Sequence, residues 1–200
     1  YPTAQFDGEY HEIIGGSNSS TMYGSYLPIV NARMQMDAYF TTVLTGDNIG
    51  DQYNVTVTCT KNGTYSGSNL VLHLVLTETD IPYNWQGQSM IEYTQRIMVP
   101  DAYGTPITFP TNNSTVEIEL SFTFDNTWVK DNCELICFIQ DNDNKNILHG
   151  GAVMVPDLDP GYPTWLADFD AEPTDICEAG TAHFHDQSIG EIIQYSWTFD

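Results

Sequence analysis

The densest cluster of hard oxygen donors is the hexapeptide DNDNKN at residues 141–146. It places Asp141 and Asp143 two residues apart, with Asn142 and Asn144 beside them. Carboxylate and amide oxygens at that density are what calcium takes as ligands. An EF-hand loop counted from Asp141 needs glycine at its sixth position and glutamate at its twelfth, and these positions hold Asn146 and Ala152. The stretch therefore reads first as a polar turn between two strands, with calcium at Asp141 and Asp143 as the chemical alternative.

A second stretch, IPYNWQGQS at 81–89, carries Tyr83 and Trp85 among amides. Aromatic faces with neighbouring amides suit stacking on a sugar ring and bonding its hydroxyls. The same residues suit a loop that closes the end of a β-sandwich, with Trp85 as its plug. The plug is the favoured reading, and glycan contact at Trp85 and Tyr83 is the alternative.

The remaining chemistry is sparse. His183 and His185 share one strand face but have no evident third ligand, and His73 lies in an apolar run as a buried, satisfied histidine. Neither G-x-S-x-G nor H-E-x-x-H occurs. Glu117 and Glu119 alternate along one strand, which places both on a solvated outer face and not in a glycosidase dyad. No catalytic residue and no resident cofactor is assigned, so the expectation is a non-enzymatic chain. Cys59, Cys133, Cys137 and Cys177 form no C-x-x-C pair and lack zinc spacing. Two readings stay open: free buried thiols, or one disulfide within residues 37–157, with Cys177 pairing elsewhere.

Five Lys and Arg against 27 Asp and Glu give a formal charge of −22. That field repels phosphate backbones and anionic lipid, which excludes nucleic acid as an expected partner. It suits a soluble exported protein, or a binder of divalent cations; the partners expected for an exported chain are proteins or glycans at the cell surface. No apolar run reaches the roughly 18–20 residues that span a bilayer.

The elements that must position these residues are mostly strands. QYNVTVTCT (52–60) puts Tyr53, Val55, Val57 and Cys59 on one face and Asn54, Thr56, Thr58 and Thr60 on the other. TVEIELSFTF (115–124) does the same with Val116, Ile118, Leu120, Phe122 and Phe124. LVLHLVLTE (70–78) is uniformly apolar, as a central strand is. Further strands are expected at 38–46, 90–99, 134–141 and 147–155. Seven strands with turn signals between them predict an antiparallel β-sandwich in a mainly β chain. Before them, 21–36 has helical spacing, with Pro28 expected in the first turn of a late-starting helix.

Two resemblances refine this picture. LVLHLVLTETDIPYNWQGQS (70–89), RIMVPDAYGTPITF (96–109) and WVKDNCELICFIQDNDNKNILHGGAV (128–153) are similar to the C-terminal β-domain of the twenty-eight-kilodalton outer-membrane protein family of Bacteroidetes. ADFDAEPTDICEAGTAHFHDQSIGEIIQYSWTFD (167–200) resembles the first half of an Ig-like PKD module, although His183-Phe184-His185 departs from the Thr or Ser usual there. Tyr1-Pro2-Thr3, the Asp7-Gly8 turn and 21–36 resemble the end of a thioredoxin-like domain, which would make Pro2 a cis-proline. The organisation this implies is a thioredoxin-like remnant (1–36), a β-sandwich (37–157), a linker (158–164) and a truncated PKD-type start (165–200).

The function implied is a non-catalytic spacer and interaction module in a secreted or outer-membrane-associated bacterial surface protein. A positioning domain for a thioredoxin-like redox protein is the rival from another class. A third reading is a glycan-binding accessory module of a secreted hydrolase.

Overall fold

The computed structural model describes residues 3–8, 11–15, 20–85, 87–158, 169–172 and 183–187. Its contacts divide the chain into two units, Tyr1–Asp159 and Pro160–Asp200.

The first unit holds two facing antiparallel sheets. One has three strands: β3 (Phe40–Ile49), β4 (Gln52–Lys61) and β10 (Thr115–Thr123), with β4 in the middle. The other runs in the order β12 (Ile147–Met154), β11 (Cys133–Asp141), β5 (Leu70–Glu78), β8 (Thr94–Val99), and β9 (Thr105–Ile107) joins β5 below β8. This is the antiparallel sandwich that the alternation predicts. Tyr53, Val55, Val57 and Cys59 point inward from β4 and meet Leu72, Leu74 and Leu76 of β5 and Leu135, Cys137 and Ile139 of β11. Period two along each strand puts every second residue in that interior.

The outer face of β4 and β10 is hydrophilic. Register sets Glu117 opposite Thr58 and Glu119 opposite Thr56, with both glutamates exposed. β5 differs because it is covered on both sides, and Val71, His73 and Thr77 of its second face are buried too. That is why its sequence does not alternate.

Aromatic side chains close the two ends of the core. Phe40 packs against Tyr65 and Phe109, with ring centroids 5.6 and 5.5 Å away. At the other end Tyr53 stacks on Phe122 at 5.3 Å, and Trp128 meets Phe124 edge-on at 5.2 Å.

Two regions differ from the sequence expectation. Residues 81–99 are not a loop and one strand: β6 (Ile81–Trp85) and β7 (Gln88–Ile91) form a separate hairpin ahead of β8. Tyr93 takes a positive φ of 49° and breaks the pattern between β7 and β8. The helix α1 spans Tyr23–Arg33, so Pro28 lies inside it and not in its first turn. Its ring nitrogen cannot donate to the Gly24 carbonyl four residues back, and the helix continues without that bond.

Ahead of α1, β1 (Thr3–Phe6) pairs with β2 (His11–Ile14). Phe6 meets Tyr26 of α1 edge-on at 5.5 Å. α1 buries none of its residues. The fastening to the sandwich runs through the turn after β1: the Ile147 amide donates to the Asp7 carbonyl at 3.1 Å, and Arg33 pairs with the Asp7 carboxylate.

In the second unit β13 (Phe169–Glu172) pairs antiparallel with β14 (His183–Asp186), setting Ala171 opposite Phe184. Pro2, Cys177, the linker residues 159–164 and the last part of the PKD-type stretch, 188–200, lie outside the described residues. Among the described residues, no helix is long and apolar enough to cross a membrane.

Candidate functional site

The β11–β12 connection carries the oxygen cluster. Asp141 ends β11 on the inward-facing register and is only 3% exposed. A buried carboxylate needs donors, and this one has them on both oxygens. Its Oδ2 accepts from the Tyr65 hydroxyl at 2.6 Å and from Asn144 Nδ2 at 3.3 Å. Its Oδ1 accepts from the Asp143 amide at 3.0 Å. The Asp143 carboxylate faces a different partner, accepting from Asn69 Nδ2 at 2.7 Å.

The turn closes on itself through the Asp141 amide, which donates to the Asn146 carbonyl at 3.0 Å, and through a left-handed Lys145 at φ 59°. Burial, reinforced by the bond to Asp141, pushes the Tyr65 phenol up to about 12. The sequence thus brings Asp141 and Asp143 into one turn, but their carboxylates do not converge on a common point. A cation at Asp141 would have to displace Tyr65 and Asn144 as partners. Among the described residues, no group of three or more His, Cys, Asp and Glu could hold a metal ion.

The β6–β7 hairpin presents the second candidate. It belongs to neither layer of the sandwich. Ile81 pairs with Ile91 and Trp85 with Gln88, and Gly87 supplies the positive φ of 88° that the turn requires. Tyr83 is 55% exposed, with Met90 and Tyr93 exposed nearby in sequence. The Tyr83 ring is therefore on the surface and not packed into the sandwich end. The side chain of Trp85 lies outside those described, and the plug reading of Trp85 with it. At the hairpin base the Glu92 carboxylate accepts from the Thr79 hydroxyl and the Asp80 amide, which holds its pKa below the usual value.

Sequence reasoning passed over a third cluster. Glu78 ends β5 at 3% exposure. Its Oε2 accepts from Arg96 Nε at 2.7 Å and its Oε1 from the Val129 amide at 2.9 Å. The signal available was a glutamate closing an otherwise apolar strand.

His73 is buried and stacks on Phe138 at 4.7 Å, and burial lowers its pKa. The expectation of a satisfied histidine fails at one atom, because Nδ1 has no hydrogen-bond partner. Gly104 passes close by, so a side chain there would press on this ring: a Cβ would sit 2.9 Å from Nδ1. Cys59, Cys133 and Cys137 are free and fully buried. Burial pushes the Cys59 thiol up to about 12, the Cys133 thiol up to about 11 and the Cys137 thiol upward.

No protein-family model matches the chain. No curated protein matches it in sequence. Among solved structures, HBP35 of Porphyromonas gingivalis is similar over 84% of this chain, with a TM-score of 0.57 and 15% identity. A domain of the outer membrane lipoprotein Omp28 from Porphyromonas gingivalis aligns with 59% of this chain and 96% of its own length, at a TM-score of 0.45 and 13% identity. This chain spans 59% of the length of the HBP35 structure, and the likeness to it is one of fold.

Proposed function

We propose that this chain is a non-catalytic part of a secreted or outer-membrane-associated bacterial surface protein, in which the sandwich acts as spacer and the β6–β7 hairpin as contact surface. The observation that carries the reading is the position of the hairpin. It stands outside a closed apolar core and exposes Tyr83 and Met90, with Tyr93 exposed just beyond its end. Exposed aromatic side chains on a short hairpin bring contact area with little side-chain entropy to lose. The acidic composition supports solubility outside the cell. The resemblance of segments 70–89, 96–109 and 128–153 to the twenty-eight-kilodalton outer-membrane protein family supports the bacterial surface setting.

The test has two parts. Intact cells of the source bacterium are treated with protease, and loss of the full-length protein without lysis is expected. Survival of the chain until cells are broken open would refute the surface setting. The triple variant Tyr83→Ser, Met90→Ser, Tyr93→Ser should keep the wild-type unfolding midpoint while losing attachment to the cell envelope or to surface polysaccharide. Unchanged attachment would remove the hairpin as the contact surface. Saturable sugar binding abolished by Trp85→Ala would favour the glycan-binding accessory module.

The positioning-domain reading is favoured by one contact. The turn after β1 is bonded to Ile147 of β12, so a thioredoxin-like domain built on β1, β2 and α1 would be held against the sandwich. A C-x-x-C motif in the parent protein would support it, and a parent without one would leave a scaffold.

A further inference from the structure

Two of the buried cysteines come from opposite sheets. Cys59 points inward from β4, the middle strand of the three-stranded sheet, and Cys137 points inward from β11 of the other sheet. Their neighbours tie the two positions together. Thr42 of β3 stands directly opposite Cys59 in the β3–β4 register, so both side chains lie on the same face about 5 Å apart at Cβ. The Thr42 hydroxyl in turn lies beside the Cys137 thiol. Gly151 of β12, opposite Cys137 in its own register, completes the cluster. A Cβ on Gly151 would fall 2.8 Å from Thr42 Oγ1 and 3.5 Å from the Cys137 sulfur. A side chain at Gly151 would therefore have to displace the Thr42 hydroxyl, which lies between the Cys59 and Cys137 strands.

We propose that Cys59 and Cys137 form an inter-sheet disulfide in the mature protein. Cys133 is excluded as the partner of Cys59 by its place. It begins β11 opposite Glu78, four residues along the strand from Cys137, whereas Thr42 stands opposite Cys59 and beside Cys137. The oxidant is a disulfide, either of a thiol–disulfide carrier or of oxidised glutathione. One cysteine thiolate attacks a sulfur of that disulfide and expels a thiolate. The second cysteine thiolate then attacks the mixed disulfide and expels the other. The protein loses two protons and two electrons, and the carrier ends as two thiols.

Timing follows from burial. Both cysteines are fully inaccessible in the closed sandwich. Their thiols are pushed up by that burial, so the folded reduced protein offers almost no thiolate at neutral pH. The exchange must therefore occur while the sheets are still coming together. This inference rests on the exported setting for its natural oxidant, but the test supplies its own.

The full chain is unfolded, reduced, and refolded either in a reduced and oxidised glutathione mixture or in reductant alone. It is then alkylated in denaturant without reduction. Digestion after Lys, Arg and Glu cuts at Glu134 and separates Cys133 from Cys137. The expected product is a cross-linked peptide pair holding Cys59 and Cys137, with Cys133 and Cys177 alkylated and, before alkylation, an intact mass two hydrogens below that of the reduced chain. The oxidised form should melt about 10 °C above the reduced form, because the link closes a long loop in the unfolded chain. Cys133→Ala should keep that difference and Cys59→Ala should abolish it. Full alkylation of Cys59 and Cys137 after oxidative refolding, or a bridge through Cys133 or Cys177, would overturn the proposal. Neither result bears on whether the protein is exported.

Discussion

Arg96 Nε donates to Glu78 Oε2 at 2.7 Å across the β5–β8 pair, and only the arginine reaches solvent, with 27% of its side chain exposed against 3% for the glutamate. The pair sits where β8 leaves β5 and where the 125–130 segment returns to the sandwich through the Val129 amide. Glu78→Ala removes an acceptor from both groups at once. Breaking a fully buried pair costs about 3–5 kcal/mol, and partial hydration of Arg96 reduces this to about 2–3 kcal/mol here. Urea unfolding should show the drop in midpoint. Glu78→Gln should recover part of it by keeping an acceptor for Val129.

Tyr65 should be among the last of the twelve tyrosines to ionise. Its phenol is raised to about 12 by burial and by Asp141, so the fold favours the neutral form. The contribution is fully present below the unfolded pKa of about 10. It is lost as pH rises through the folded value of about 12. Tyr65→Phe should remove that part of the alkaline loss of stability and, at neutral pH, cost about 1.5–3 kcal/mol for the bond to a carboxylate acceptor. Phenolate absorbance of wild type minus variant checks the titration. A Tyr65 that ionises near 10 would refute it.

Gly8→Ala should loosen the N-terminal hairpin and spare the sandwich. Gly8 has φ 74°, and a Cβ there would fall on the Lys145 carbonyl oxygen. The variant must shift the Asp7–Gly8 turn away from the β11–β12 connection. Amide exchange should accelerate at Ile147, whose N–H bonds Asp7, and stay slow at Leu72 and Leu74. Equal protection in both proteins would show that the turn does not anchor residues 3–33.

Calcium should leave the melting temperature unchanged. Both Asp141 oxygens accept protein hydrogen bonds, and the Asp143 carboxylate faces Asn69. Scans with calcium and with a chelator should coincide within about 1 °C, since a ligand that binds only the native state at a hundred times its dissociation constant adds about 2.7 kcal/mol. A rise of several degrees would mean that Tyr65 and Asn144 give way to the ion. Asp141→Asn should destabilise the turn under both conditions.

The strands of the sandwich were legible because burial on one face imposes period two, and Tyr53, Val55, Val57 and Cys59 obey it without exception. The β6–β7 hairpin was not legible, since Ile81 to Ile91 has no buried face to impose a pattern. The helix boundary failed for the same reason: α1 buries none of its residues, so its apolar spacing carried no packing information. Asp141 could be found as an oxygen-rich turn residue, but its partner Tyr65 could not. The two lie 76 positions apart and meet only when β11 has paired with β5.

That pairing has a consequence for how the chain is made. β5 is the most apolar strand, and its hydrogen-bonding neighbour on one side is β11: Leu70 stands opposite Asp141 and Glu78 opposite Cys133. A ribosome or a translocation pore releases Leu72, Leu74 and Leu76 long before Leu135, Cys137 and Ile139 emerge to cover them. Pairings this distant in sequence close slowly. A chain that leaves the cytoplasm unfolded benefits from such a delay, because the sandwich cannot lock into its final shape before β11 has been delivered. The same interval leaves Leu72, Leu74 and Leu76 uncovered until β11 arrives.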